Sequence, residues 1–297
     1  MLDGKLRLLP GHLAVRLDNA TCPYCGTVLD ATATTEHVVG KRFVPRGKLD
    51  RHWNLIVRAC RRCNNRKAAL ENDLSAITMQ PNAGGQYSQP DEVLAAEAAR
   101  KGQKSISRST GKPVGQSGEE ITIKVPFAPG AEMTFNLWSP PQADSHRVFE
   151  LARLQLMAFF YFITYSPDTK RGGFWLGGFC PVLEAPRSDW GNPVHRAFMR
   201  TVLAWEPRLL AITADGFFKA MIRRHPEAVC WSWAVEWNHN LRVVGFFGER
   251  EPVLATAKTL PRLRVETIFE GPGEALRYRM ETRLSDEEDQ MFHEGET

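Results

Sequence analysis

Cys22-Pro23-Tyr24-Cys25, then Glu36-His37, then Trp53-Asn54-Leu55, then Cys60-Arg61-Arg62-Cys63-Asn64-Asn65-Arg66-Lys67: these stretches decide how the chain reads. The four cysteines fall into two Cys-x-x-Cys pairs. Such a pair on a tight turn aims two thiolates at one ion, and two pairs supply the closed tetrahedral set that structural zinc prefers. Soft thiolates select zinc over hard cations such as Mg²⁺. The competing reading is a redox dithiol, which is expected singly beside a βαβ pattern, and no such pattern adjoins either pair. The expected knuckle of Cys22, Cys25, Cys60 and Cys63 clamps the two ends of the intervening loop and adds folding energy through the metal.

The residues inside the loop carry the chemistry. Glu36-His37 sets a carboxylate beside an imidazole, and a neutral imidazole accepts a proton from water near pH 7. Residues 34–39 read as extended, so the two side chains point to opposite faces, and backbone curvature is needed for both to serve one site. Oxygen donors from Glu and Asn suit a hard ion, Mg²⁺ or Mn²⁺, separate from the sulfur site. Taken alone, a Glu-His pair is an ordinary surface dipeptide, and it is the flanking Cys-x-x-Cys pairs that give it weight.

The whole pattern resembles the HNH endonuclease family, whose fold is a ββα-metal unit. The resemblance covers roughly residues 10–78 and implies a role for each matching residue. His37 matches the general base that activates water. Glu36 matches a ligand of the catalytic divalent ion, Mg²⁺ or Mn²⁺, where Asp is commoner. Asn54 matches the central Asn that orients the loop carrying the histidine, and Asn64 matches the last ligand. Lys67 matches a basic residue three positions further on. The spacing from Asn54 to Cys60 is one residue longer than usual, so Asn65 stands as the alternative to Asn64.

Charge agrees with a polyphosphate partner. Residues 38–67 hold ten Lys or Arg against one acid, Asp50. Arg42, Arg46, Arg61, Arg66 and Lys67 are the expected nucleic-acid contacts. A merely solvated basic face is the plainer alternative. Trp53 can stack on a base, but packing in a hairpin is the favoured reading.

The chain has 297 residues, enough for two domains, and a net charge of only +4, so the basic character is local. Cys180 and Cys230 stand apart and read as buried thiols, a usage that fits a reducing cytoplasm. The N-terminal residues lack the apolar run of a signal peptide, and no stretch reaches the length of a membrane span.

In chain order, residues 13–17 read as a short strand and residues 68–74 as the helix of the ββα unit. Asp73 on that helix reads as solvent-facing. Residues 91–100 have helix propensity, while residues 101–120 have the Gly, Ser, Lys and Gln content of a linker or mobile loop. The remainder reads as a second α+β domain. It has paired strands at 121–125 and 133–137, and a long apolar helix at 147–165. A glycine-punctuated strand region follows at 172–182, with amphipathic helices at 193–205 and 216–224 and a hairpin at 229–247. Trp231, Trp233 and Trp237 share one face of that hairpin, read as the inner face of a sheet in preference to a stacking platform. Residues 281–297 carry seven acids against one Arg and read as a disordered tail.

The expected fold class is therefore α+β. An N-terminal ββα-metal HNH domain with a zinc knuckle (1–79) leads through a linker (80–120) to an α+β accessory or regulatory domain (121–280) and an acidic tail (281–297). The expected function is a metal-dependent DNA endonuclease acting on double-stranded DNA, using structural Zn²⁺ and catalytic Mg²⁺ or Mn²⁺. Heads of this family serve in bacterial restriction or phage defence, and the second domain is the expected receiver of a partner protein or activating signal. The alternative is a zinc-knuckle nucleic-acid-binding protein that does not cleave; a zinc-stapled protein-interaction module is a weaker third.

Overall fold

The computed structural model describes residues 6–8, 13–128, 130–174, 178–271 and 274–293. Strands β1 (Arg7–Leu8), β2 (Val15–Arg16), β3 (Thr34–His37) and β4 (Leu55–Ala59) lead into helices α1 (Arg61–Ile77) and α2 (Glu92–Lys104). Then come the hairpin β5 (Glu119–Ala128) and β6 (Ala131–Ser139), helix α3 (Ser145–Ile163), strand β7 (Cys180–Pro186) and helix α4 (Pro193–Leu203). Strands β8 (Glu206–Thr213), β9 (Phe218–Arg224), β10 (Cys230–Trp237) and β11 (Leu241–Gly248) precede helix α5 (Arg250–Lys258) and the hairpin β12 (Glu266–Gly271) and β13 (Glu274–Tyr278). The fold class is α+β.

Strand β10 explains the layering. All eight of its residues are buried, because it lies inside a six-stranded sheet ordered β1-β8-β9-β10-β11-β7 and covered on both faces. Trp231, Trp233, Val235 and Trp237 alternate into one apolar core with α3. Cys230 and Ala234 alternate into the other, with α4, Val253 of α5 and the tail residues Met291 and Phe292. The tryptophan face is thus an inner face. At the turn between β10 and β11, Asn238 and His239 both take positive φ, a conformation Asn and His tolerate better than most residues.

The expected division into a separate head and second domain is not a division in the packing. Helix α3 is apolar over most of its circumference because it has neighbours on two sides, and residues 17–79 share its core with the large sheet. Trp53 is buried: its ring meets Phe159 edge-on, and its indole N–H donates to the Ile212 carbonyl at 2.7 Å. Phe43 meets Trp237 at 5.5 Å. Asp73 is not solvent-facing but pairs with Arg147 at 2.5 Å. The segment expected as a linker, residues 101–120, is anchored as well. Lys101 is buried and donates to the Arg42 carbonyl and to Ser75 Oγ, and Ser107 and Val114 are fully buried.

Two further expectations are corrected. The helix expected at 216–224 is instead strand β9, from Phe218 to Arg224, after a tight turn at Ala214–Gly216. Phe218, Ala220 and Ile222 alternate into the α3 core while Met221 faces the other, and β8 and β10 bond both edges. A short apolar run satisfies either period, and here the neighbouring strands decide. The strand expected at 172–182 begins only at Cys180, and residues 175–177 of that stretch lie outside the described residues.

The acidic tail is docked through residue 293. Asp289 takes both terminal nitrogens of the buried Arg242, at 3.0 and 2.6 Å, Glu288 takes those of Arg196, and Phe292 is 6% exposed. The Gly191 N–H donates to the Thr282 carbonyl, where a Cβ on Gly191 would overlap the tail backbone. Composition alone sees a run of like charge; the cations that neutralise it, Arg187, Arg196 and Arg242, lie far from it in sequence. Brief trypsin treatment of the native protein should therefore leave the Arg283–Leu284 bond intact. Its cleavage within the first minutes, read by mass spectrometry, would show an undocked tail.

Candidate metal centre and the His37 face

The cysteines sit where two tight turns present them. The Cys22 N–H donates to the Thr27 carbonyl, and Gly26, at φ +72°, closes the first turn. Cys60 precedes α1 and Cys63 lies in its first turn. All six cysteines of the chain are free. The ligand atoms of Cys22, Cys25, Cys60 and Cys63 lie within 4.8 Å of one another, and Cys25 Sγ is 3.7 Å from Cys60 Sγ. A tetrahedron with Zn–S near 2.3 Å separates its sulfurs by roughly 3.8 Å, so the group can bind a metal ion such as zinc. Hydrogen-bonded to Cys63, the Cys22 thiol is pulled down to about 5, while the same contact and burial push Cys63 well up. Four sulfurs this close do not all ionise unless a cation sits among them.

Strand β3 runs antiparallel to β4, and β2 runs parallel to β4 on its other edge. Alternation along β3 sends Glu36 and His37 to opposite faces. Glu36 turns inward, towards α1. It is 6% exposed, its Oε1 lies 2.7 Å from Lys67 Nζ, and the Tyr24 hydroxyl donates to the same oxygen at 3.4 Å. Lys67 is fully buried and also meets Glu71 Oε1 at 2.6 Å and the His37 carbonyl at 3.1 Å. Burial alone would push this ammonium down, but the carboxylates of Glu71 and Glu36 outweigh it and hold it above its ordinary value. Gly40 is glycine for a local reason: its N–H donates to Glu71 Oε1 at 3.3 Å, and a Cβ would run into that carboxylate.

His37 faces the other way and is half-buried. Ile56 is its cross-strand partner, and Arg16 is the partner of Ile56 on β2, so the three share one face of the small sheet. Burial, together with the positive charges of Lys41, Lys67 and Arg16, holds the imidazole below its ordinary range against the pull of Glu36. The ring is therefore neutral near pH 7 and able to take a proton. Asn54, buried, fixes the backbone just beyond it: its Oδ1 accepts from the Val39 N–H at 3.2 Å, and its Nδ2 donates to the Val39 carbonyl at 2.7 Å.

The oxygen donors expected to hold a hard divalent ion are not assembled. Glu36 is committed to Lys67. Asn64 donates to Thr34 Oγ1 at 2.7 Å, at the start of β3 and roughly 10 Å along the strand from His37. Asn65 is exposed on the outer side of α1. As they stand, Glu36 and Asn64 do not form one ligand set for Mg²⁺ or Mn²⁺.

The basic residues divide in the same way. Arg42, Arg46, Arg61 and Arg66 are exposed, Arg66 sharing its charge with Glu150 at 2.9 Å. Lys67, expected to touch nucleic acid, is closed to solvent and to any phosphate. Sequence reasoning missed Arg16, which reaches the His37 face only through the pairing of β2 with β4. It also missed Glu71, although its spacing of four from Lys67 on one helix was a visible signal. Comparison with protein-family models, with curated proteins and with solved structures found no match.

Proposed function

We propose that the chain is a nucleic-acid phosphodiesterase of HNH type, a DNA endonuclease with His37 as its general base. The observation that supports this reading best is a neutral, half-buried imidazole on one sheet face with Arg16, beside Lys41, its following loop clamped by Asn54. In the proposed reaction His37 takes a proton from a water molecule. The water oxygen bonds to phosphorus, the P–O bond to the sugar breaks, and the departing oxygen is protonated by solvent. Arg16 and Lys41 offset charge on the non-bridging oxygens. No step runs through a divalent ion at Glu36 and Asn64, because Glu36 is committed to Lys67 and Asn64 to Thr34. A role in restriction or phage defence belongs to the same proposal and rests on the family resemblance alone.

The commitment of Glu36 to Lys67 favours a second reading, a zinc-knuckle module that binds nucleic acid without cutting it. A supercoiled-plasmid assay with and without Mg²⁺ or Mn²⁺ separates the two. His37→Ala should lower nicking about a hundredfold or more while leaving DNA affinity in a gel-shift assay within about twofold. Because His37 is held below its ordinary range and must be neutral to act, the wild-type rate should rise with pH through that lowered value and be flat from pH 7 upward. A wild-type protein that binds DNA but nicks it under none of these conditions supports the binding module instead.

A further inference from the structure

A cavity lies away from the His37 face, with none of that face's residues in its lining. The loop after α1, the start of α3, the end of β7 and the docked tail converge around it, and its volume is about 680 Å³. That is the size of a small-molecule site. Three features of its lining point to one ligand chemistry. Trp138, near the end of β6, lines it and is 50% exposed, an unusual share for an indole; its ring rests against Gly118, where a Cβ would collide with it. Glu184 on β7 also lines it. Ser145 donates to its Oε1, but its Oε2 is buried without a hydrogen-bond partner, and burial, with Asp144 nearby, pushes the carboxyl above its usual range. A buried carboxylate oxygen short of a donor is costly unless something supplies one. Two guanidiniums complete the lining. Arg187 is held by the largely exposed Asp286 at 3.0 Å, and Arg283 has no ion-pair partner among the described residues.

We propose that this cavity binds a guanine nucleotide. The base stacks on Trp138, its N1–H and N2–H₂ donate in parallel to the two oxygens of Glu184, and its phosphate meets Arg187 and Arg283, displacing Asp286 into solvent. Guanine is the common base whose Watson–Crick edge offers two adjacent donors to a carboxylate. Adenine sets an acceptor, N1, where the second donor is needed, and uracil offers one donor between two carbonyls. The site is independent of the head's chemistry and stands whether or not the head cleaves DNA.

Titration calorimetry on the full, zinc-loaded chain tests the proposal with guanosine monophosphate, guanosine and adenosine monophosphate as probes. Guanosine monophosphate should bind, with adenosine monophosphate at least about tenfold weaker. Glu184→Gln turns an amide N–H towards the base and should weaken guanosine monophosphate about tenfold or more; Trp138→Ala should do the same through lost stacking. Arg283→Ala should weaken the nucleotide but not the nucleoside. All three variants alter exposed or partly exposed side chains, and circular dichroism checks that each is folded. No binding at millimolar guanosine monophosphate, equal affinity for the adenine nucleotide, or an unchanged affinity in folded Glu184→Gln would each overturn the proposal.

Discussion

Cys60→Ser is expected to strip the metal from the head and to unfold much more than the head. One sulfur of four is lost, and the serine oxygen that replaces it is a harder, shorter ligand. Structural zinc held by four thiolates contributes an apparent binding free energy of about 10–16 kcal/mol, against a typical total stability of about 5–15 kcal/mol for a domain. The knuckle ties the turn at Cys22 and Cys25 to the start of α1. The apolar core of the head is also the core of α3 and the large sheet. Loss of zinc should therefore appear as one cooperative loss of secondary structure near 37 °C, by circular dichroism, and not as the melting of a detached module. Elemental analysis should give close to one zinc per wild-type chain and far less for the variant. An unchanged zinc content in Cys60→Ser would sink the four-sulfur assignment.

Lys67→Met comes next in size. Among the described residues its ammonium is the cation that pairs with both Glu36 and Glu71, at 2.7 and 2.6 Å. A methionine fills similar space but leaves two carboxylates facing each other in a closed pocket. Breaking a buried ion pair by removing one partner costs about 3–5 kcal/mol, read here from denaturant unfolding. The dependence on pH fixes the cause. Burial already pushes the Glu71 carboxyl up in the wild type, with Lys67 pulling against it. Without the ammonium, the folded-state pKa of the Glu71 carboxyl rises further above its unfolded value. Stability is then kept at low pH and lost as pH rises through the raised value, so the deficit should be larger at pH 8 than at pH 6. Adding Glu36→Gln and Glu71→Gln removes the uncompensated charge and should restore most of the loss. If the triple variant is no more stable than Lys67→Met, packing is responsible and the ion cluster is not.

The same pocket shows why a motif and its geometry come apart. Glu36-His37 was legible as a chemical pair, and the alternation of a strand already said that the two side chains part company. What they part to was not legible. His37 reaches a face with Arg16 because β2 pairs in parallel with β4, a contact between residues forty positions apart in sequence. Glu36 reaches Lys67 because α1 packs on the other face. A site that looks complete along the chain thus has its expected base, His37, on one face of a sheet and its expected ligand, Glu36, on the other, and a lysine that looks like a phosphate contact is the counter-ion of that ligand.

Local patterns determined what short-range chemistry can determine: the two Cys-x-x-Cys turns that form a four-sulfur group able to bind a metal ion, α1, the β5–β6 and β10–β11 hairpins, the inner face of Trp231, Trp233 and Trp237, and the central place of the apolar α3. Each depends on residues within a turn, a strand pair or a helix face. Tertiary structure alone decided that β9 is a strand, that residues 101–118 are anchored, that residues 281–293 dock on Arg196 and Arg242, and that head and sheet share one core. The physical reason is common to all four. Charge and apolar pattern show that a segment needs a partner or can do without one, while the identity of the partner is set by elements that meet only after the chain has folded.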